Sequence, residues 1–459
     1  MFIRNFFTII IAKLLIFFLK LTKTGGTAAP GLLALKLSPN LLKKYLSQLD
    51  YSILISGTNG KTTTSRMLSN ILKEAEIKFY HNRAGSNLLR GILSELLKNS
   101  NLKGRLEKRI GLWEIDEAVL PQAIKIIKPK VVIINNLFRD QLDRYGEIDT
   151  LAKKWLEALN KLSSKTTLII NADDPTLANL GKKLKTNVIF YGINDLKIGG
   201  QELSHASDAT LCPLCLLPLK YQAVYLSHLG NYKCSSCGLT QPQKQIKAFN
   251  VNFNQNSYLE FKIVAEKKEY FLKTRLSGLY NVYNFLAGFG ASLTLGITPQ
   301  ISLSALKKFQ PVFGRTEKIK IKNKSLQILL VKNPTGFNEI IKTLNLLTQN
   351  KKGSLLLVLN DLIADGRDVS WIWDVDFDNL KTKNLSNIYV SGIRSADLAL
   401  RLKYSLDKKV IIISDLKKAI RGLLKEKDNH LFILPTYTAM LKTRKILNQM
   451  KLTHLSWQD

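Results

Sequence analysis

Residues 51–76, YSILISGTNGKTTTSRMLSNILKEAE, constrain the fold of this chain more than any other stretch. An apolar run of strand length leads into a loop with two glycines, and the loop leads into an amphipathic stretch. This strand–loop–helix order is the context of a phosphate-binding loop. Only two residues separate Gly57 from Gly60, where the usual pattern has four.

The shortened loop keeps the parts that hold a nucleotide. Glycines let backbone N–H groups approach phosphates, Lys61 can reach the β- and γ-phosphates, and Thr62 can bind Mg²⁺ at the amino end of a helix. A chance turn followed by a helix cap is the alternative. The residues predicted to bind the nucleotide in this loop are Gly57, Thr58, Asn59, Gly60, Lys61, Thr62 and Thr63.

Short apolar runs alternate with amphipathic stretches along most of the chain. Buried strands that alternate with helices predict a mostly parallel α/β sheet. A second α/β series begins after FQPVFGRTEKI (309–319). We therefore predict a nucleotide-binding domain over 25–310 and a Rossmann-like α/β domain over 311–459, after an apolar helix over 1–24.

The four cysteines form two close pairs, Cys212-x2-Cys215 and Cys234-x2-Cys237, with eighteen residues between the pairs. This spacing predicts a closed, structural Zn²⁺ site of four thiolates in a zinc ribbon inserted at about 203–245. Reduced buried thiols are the alternative. Paired cysteines of this kind favour a reducing compartment, so we expect a cytoplasmic protein.

The amino-terminal segment Phe2 to Leu21 is apolar and nearly long enough to span a membrane. Lys13 and Lys20 interrupt it, and a charge inside a bilayer costs roughly 3 kcal/mol. We favour a helix, within residues 1–23, that lies on the cytoplasmic leaflet or packs against the fold, with Arg4, Lys13, Lys20 and Lys23 near lipid phosphates. A true span and a plain core helix are the alternatives.

Two acids, Glu114 and Asp116, follow an expected strand in WEIDEA (113–118) and could supply a hard oxygen ligand to Mg²⁺. A solvated pair of acids is the alternative. Together with the loop, further motifs carry a resemblance over nearly the whole chain: NRAGSNLLRG (82–91), NNLFRDQLDRYGEIDT (135–150), NADDP (171–175), YNVYN (280–284) and FGRTEKI (313–319). The sequence resembles the MurT-like members of the Mur ligase family, which are ATP-dependent, amide-forming enzymes of peptidoglycan synthesis.

The resemblance implies roles for single residues. It places Glu114 at the metal and phosphates, and Asn281 and Arg315 at the nucleotide. Asn135, Asp140 and Asp143 are weaker candidates, because helix capping would explain them equally well.

The resemblance also implies that the acidic segment 359–378 faces a GatD-like glutaminase subunit, with which the chain would form a heterodimer. Asp365 or Asp368 would orient the partner's catalytic histidine, and the sequence leaves the choice between them open. An acidic loop packed by Trp371 and Trp373 is the alternative.

The implied reaction amidates the α-carboxyl of D-glutamate in the lipid II stem peptide, through an acyl phosphate made with ATP and Mg²⁺. The product is D-isoglutamine, and Lys61 and Glu114 serve the phosphoryl transfer. If all four cysteines bind zinc, none is free as the nucleophile of a glutaminase, so ammonia must come from another chain.

Two other functions fit part of the sequence. An ordinary Mur or folylpolyglutamate-type ligase shares the loop but leaves the zinc module unexplained. A zinc-ribbon nucleic-acid-binding ATPase would suit the net charge of +33, from 68 Lys and Arg against 35 Asp and Glu. The sequence has no RNA-recognition signature, so we expect no nucleic acid partner.

Overall fold

The computed structural model describes residues 2–22, 26–83, 86–107, 109–139, 148–204, 207–253, 258–276, 278–310, 317–349 and 351–453. They form two compact units, the first within residues 1–309 and the second mainly from 310–459. Within the described residues, no helix combines the length and the apolar character needed to cross a membrane.

The first unit is built on a nine-stranded mixed sheet in the order β11-β10-β9-β6-β5-β4-β1-β3-β2. All neighbouring pairs from β9 to β2 are parallel, while β9-β10 and β10-β11 are antiparallel. The strands are β1 Tyr51–Ser56, β2 Phe79–His81, β3 Ile110–Glu114, β4 Pro129–Ile134, β5 Thr167–Asn171, β6 Asn187–Ile193, β9 Ile246–Phe253, β10 Leu259–Ala265 and β11 Lys268–Thr274. The predicted parallel core is confirmed, and the antiparallel edge was not foreseen.

The helices of this unit cover the parallel strands. They are α1 Phe2–Leu21, α2 Ala29–Leu37, α3 Leu41–Leu46, α4 Lys61–Glu74, α5 Leu89–Asn99, α6 Leu120–Ile126, α7 Ile148–Leu159, α8 Pro175–Lys182, α9 Leu279–Thr294 and α10 Pro299–Lys307. The central strands β4 and β5 are almost fully buried, as expected for parallel strands covered on both faces. Because β3, β1 and β4 are parallel neighbours, their carboxyl ends lie at one edge of the sheet.

The cysteine-bearing insertion contains the antiparallel pair β7 Leu219–Leu226 and β8 Leu229–Cys234. Its main anchor is Asp173 of the NADDP segment, which is fully buried. The Asp173 carboxylate accepts from Lys244 Nζ at 2.7 Å and from Tyr283 Oη at 2.8 Å, and its backbone carbonyl accepts from Gly230 N at 3.0 Å. The insertion is therefore held to α9 and to the sheet in part through Asp173, and His228 lies 3.5 Å from the neighbouring buried carboxylate of Asp174.

The second unit has a six-stranded sheet in the order β12-β13-β17-β14-β15-β16, parallel except for the edge pair β12-β13. Its strands are β12 Glu317–Ile321, β13 Lys324–Ile328, β14 Gly353–Val358, β15 Leu385–Ser391, β16 Ile411–Ile412 and β17 His430–Pro435. Its helices are α11 Pro334–Leu347, α12 Ser395–Ser405, α13 Leu416–Lys425 and α14 Tyr437–Gln449. Separate apolar clusters lie on the two faces of this sheet.

Candidate active site

The predicted phosphate loop lies between the end of β1 at Ser56 and the start of α4 at Lys61. Gly57 and Gly60 have φ of +128° and +84°, a region that side chains other than glycine rarely adopt. A Cβ at Gly57 would lie 3.0 Å from the backbone of Asn136, and one at Gly60 would clash with the side chain of Asn284. The loop is thus packed tightly against β4 and α9, and glycine is required at both positions.

Lys61 is buried, and three acceptors surround its ammonium group. Nζ donates to the carbonyls of Gly57 at 2.6 Å and Thr58 at 3.1 Å, and to Glu117 Oε2 at 2.7 Å. The Lys61 and Glu117 side chains are only 7% and 2% exposed. In this arrangement the lysine is held inside its own loop by a buried carboxylate. Sequence reasoning missed Glu117, although WEIDEA contains it.

Glu114 ends β3 beside the start of α4. Its Oε1 accepts from Thr62 Oγ1 at 2.8 Å. Asn82 fixes its backbone, because Glu114 N donates to Asn82 Oδ1 and Asn82 Nδ2 donates to Glu114 O, both at 2.9 Å. A hydroxyl and a carboxylate, placed together at the end of a strand, are the oxygen ligands that Mg²⁺ prefers.

The Asp116 side chain is buried and makes hydrogen bonds to neighbouring residues. Its carboxylate accepts from Asn87 Nδ2 at 3.2 Å and from Ala118 N at 3.2 Å. Of the two acids singled out in the sequence, only Glu114 is hydrogen-bonded to the loop threonine.

Asn135 and Asn281 both lie near the loop. Asn135 Nδ2 donates to Thr64 Oγ1 at 3.0 Å, and Thr64 Oγ1 donates to Asn284 Oδ1, whose own Nδ2 reaches Asn281 Oδ1 at 3.3 Å. Asn135 Oδ1 is buried and has no hydrogen-bond partner among the described residues. Such an orphaned amide oxygen beside a phosphate loop is consistent with a bound ligand. Arg315, Asp140 and Asp143 lie outside the described residues.

The four cysteines are brought together as the spacing predicts. Their sulfur atoms all lie within 4.8 Å of one another. Cys212 Sγ is 3.5 Å from Cys237 Sγ, and Cys215 Sγ is 3.5 Å from Cys234 Sγ, well beyond disulfide bonding distance. Four free thiols in this cluster form a donor set that fits one tetrahedral Zn²⁺ ion.

The two candidate aspartates of the second unit have different surroundings. Asp365 is buried, and its carboxylate accepts from the backbone N–H of Thr438 at 2.8 Å and from the Thr438 hydroxyl, which ties the loop to the start of α14. Asp368 is exposed, and its Oδ1 accepts from Ser370 N at 2.8 Å. Asp365 is therefore tied to Thr438 within its unit, whereas the Asp368 carboxylate is accessible.

Known proteins resemble the chain over most of its length. Residues 55–235 match the family model of the Mur ligase middle domain, and residues 330–440 match that of the MurT ligase C-terminal region. The lipid II isoglutaminyl synthase (glutamine-hydrolyzing) subunit MurT of Streptococcus pneumoniae is 34% identical over 92% of both chains. The protein of the same name from Staphylococcus aureus is 32% identical over 92% of this chain and 93% of its own.

Solved structures show the same architecture. A pseudomurein peptide ligase type C from Methanothermus fervidus matches with a TM-score of 0.68 and 25% identity, over 90% of this chain and 81% of its own. A MurF ligase from Thermotoga maritima in complex with ADP matches in fold, with a TM-score of 0.63 and 15% identity over 91% and 84% of the two chains. The fold is therefore that of a Mur ligase, and the chain belongs to the MurT family of these ligases.

Proposed function

We propose that the chain is the ligase subunit of a lipid II isoglutaminyl synthase. It would amidate the D-glutamate α-carboxyl of the lipid II stem peptide, with ATP, Mg²⁺ and ammonia from a glutaminase subunit. The observation that carries the proposal is the loop site, where Lys61 lies inside the loop that follows β1 and Thr62 contacts Glu114 at the end of β3. The names of the relatives that are 32–34% identical support the choice of acceptor.

Each residue of the site has a role in this reaction. ATP, when bound, would supply its γ-phosphoryl group to a carboxylate oxygen with release of ADP, and ammonia would then displace inorganic phosphate from the acyl carbon and lose a proton to give the amide. The loop N–H groups of residues 57–63 hold the phosphates, and Lys61 neutralises charge on the transferring group. Thr62 and Glu114 would hold Mg²⁺. Asn281 and Arg315 are proposed to contact the nucleotide.

Lys61 must leave Glu117 to serve this role. In the structure its three N–H donors are fully used by two loop carbonyls and the Glu117 carboxylate. A phosphate that enters the loop would compete with Glu117 for the same ammonium group. Glu117 is thus the anion that a bound phosphate would replace beside the buried Lys61 ammonium group.

The ammonia source is proposed to be a GatD-like glutaminase that forms a heterodimer with this chain. The four cysteines support this, because a cluster that binds Zn²⁺ leaves no cysteine nucleophile for glutamine hydrolysis. We assign Asp368 to the partner's histidine, because its carboxylate is exposed while Asp365 is buried against Thr438.

The domain and compartment assignments complete the proposal. Residues 25–310 would form the Mur ligase-like ATP-binding domain, with a zinc ribbon at about 203–245. Residues 311–459 would form the Rossmann-like domain that contacts the glutaminase. The protein would act in the cytoplasm, at the inner face of the membrane where lipid II is exposed, with residues 1–23 near the bilayer.

Amidation of purified lipid II tests the proposal. The chain is assayed with ATP and Mg²⁺, with either ammonium or glutamine, alone and with a GatD-like glutaminase. Amidation by the lone chain with ammonium, and with glutamine only after the glutaminase is added, supports the assignment. ATP consumption that depends on an added amino acid would instead identify an ordinary Mur-type ligase, and stimulation by oligonucleotides would identify a nucleic-acid-dependent ATPase.

A further inference from the structure

Helix α1 is packed into the first unit along one side only. Asn5, Thr8, Ile9 and Ala12 are buried, and Asn5 Oδ1 accepts from Ser38 Oγ at 2.6 Å. Lys13 Nζ donates to the carbonyl of Ser100 at 2.5 Å. A transmembrane arrangement would break these bonds and leave polar side chains in hydrocarbon, so this helix is part of the folded unit.

The opposite side of α1 is apolar and uncovered. We call it the outer face of α1, and six of its large apolar side chains are more than half exposed: Ile3, Phe7, Leu14, Phe17, Phe18 and Leu21. At about 100° per residue they fall within an arc of about 100°, centred opposite the packed side. Soluble monomers rarely expose a contiguous apolar surface of this kind without a partner.

Basic residues border the outer face of α1. Arg4 lies on one side of the arc and Lys13 and Lys20 on the other, each about 40–60° beyond its margin. The Lys13 ammonium is held by the Ser100 carbonyl, which leaves Arg4 and Lys20 to face the headgroups. Residues 1–49 contain no Asp or Glu and seven basic residues, namely Arg4, Lys13, Lys20, Lys23, Lys36, Lys43 and Lys44. Apolar side chains flanked by cations complement the acyl region and the anionic headgroups of a bilayer surface.

We propose that the outer face of α1 docks the enzyme on an anionic phospholipid surface, with the helix parallel to the membrane and its aromatic side chains in the headgroup–acyl boundary. A second copy of the chain is a poorer occupant, because pairing two such segments would bring their basic residues together without an acidic counterpart. The inference deepens the proposed function by naming the surface that would bring the site to a lipid-linked substrate. It stands on the geometry of α1 and not on the reaction.

Vesicle flotation of the full chain tests this docking without ATP, lipid II or glutaminase, so that its failure is separate from failure of the proposed amidation. Phosphatidylcholine vesicles with and without 30% phosphatidylglycerol are compared. We expect the wild-type chain to float with the anionic vesicles. The double variant Phe7→Glu, Phe18→Glu should lose about a hundredfold in partitioning, about tenfold for each apolar side chain removed.

Two further variants make the test specific. Leu346→Glu with Tyr404→Glu removes two apolar side chains of the second unit that are 65% and 72% exposed, and should leave flotation unchanged. Arg4→Gln with Lys20→Gln should weaken binding to the anionic vesicles only. Matching far-ultraviolet dichroism and melting of all variants establishes that they fold.

Equal flotation of wild type and of the Phe7→Glu, Phe18→Glu variant would overturn the proposal. The proposal would also be overturned if the wild-type chain does not bind vesicles but forms dimers, and if the Phe7→Glu, Phe18→Glu variant does not dimerise. The outer face of α1 would then bind a second copy of the chain.

Discussion

Replacing Glu117 by Gln should weaken the interaction with the Lys61 ammonium group and increase the affinity for ATP. The Lys61 Nζ to Glu117 Oε2 distance is 2.7 Å and both side chains are buried. At an effective dielectric constant of about 20 this distance corresponds to about 6 kcal/mol of gross attraction, of which desolvation offsets a large part. Removing one member of a buried pair costs about 3–5 kcal/mol, and glutamine, which still accepts a hydrogen bond, should lie near the lower value.

A nucleotide phosphate can restore part of this loss, because it offers the unpaired ammonium group a new anion. If half of about 3 kcal/mol is recovered on binding, ATP should bind the Glu117→Gln variant about tenfold more tightly than the wild type. Isothermal titration with ATP in the presence of Mg²⁺, and again with a chelator, measures this. The tightening should appear under both conditions, since it depends on the phosphates and not on the metal.

The Glu339→Gln variant is a matched control. Glu339 Oε1 is also 2.7 Å from a lysine, Lys342, but that lysine side chain is 62% exposed and the pair lies in the second unit. We expect this variant to change the free energy of unfolding by less than about 1 kcal/mol and to bind ATP with unaltered affinity. Unchanged or weaker ATP affinity of a folded Glu117→Gln variant under both conditions would refute the competition argument. Weakening with Mg²⁺ alone would show that Glu117 serves the metal.

Three other sets of variants test the cysteine cluster, the two candidate aspartates and a buried histidine. Cys212→Ser or Cys234→Ser should lower the zinc content of the purified chain from about one ion to near zero by elemental analysis, and retention of one ion by both variants would contradict a four-thiolate site. Asp368→Asn should reduce glutamine-dependent amidation at least tenfold and spare ammonium-dependent amidation. Asp365→Asn should lower the melting temperature, because it weakens the bonds to the start of α14. The opposite pattern of effects would exchange the roles of the two aspartates. Burial, with basic side chains nearby, lowers the pKa of His81 to about 3 from an ordinary value near 6.5. The folded state therefore disfavours the protonated form, so stability should be level above about pH 7.5 and fall by roughly 2 kcal/mol from pH 7 to pH 5, while His81→Asn should flatten this part of the denaturation profile.

Features that depend on short stretches of the chain could be predicted from the sequence. The loop from Gly57 to Lys61 follows from its residue spacing, and the cysteine cluster from two short knuckles. Thr62 and Glu114 were each named as possible Mg²⁺ ligands, and their contact fits the general rule that carboxyl ends of neighbouring parallel strands meet at one edge of a sheet.

Other features depend on tertiary packing and could not be predicted in this way. Glu117 reaches Lys61 through the backbone path after β3, and nothing in WEIDEA marks it for this contact rather than Glu114 or Asp116. Asp365 and Asp368 have the same side chain, and the bonds of Asp365 to Thr438, which is distant in sequence, separate their surroundings. The amino-terminal helix had three alternatives in the sequence, and its packing against Ser38 and Ser100 favours a docked helix over a span.

The burial of Asp173 limits how the cysteine-bearing insertion could be lost during evolution. Its carboxylate is fully buried, and the cation beside it, Lys244, belongs to the inserted segment. A descendant that deleted the segment would keep an uncompensated anion in its core, a lesion more severe than the loss of a surface module. Insertion and anchor should therefore be inherited as one unit, and a chain that sheds the segment should carry a neutral residue in place of the aspartate.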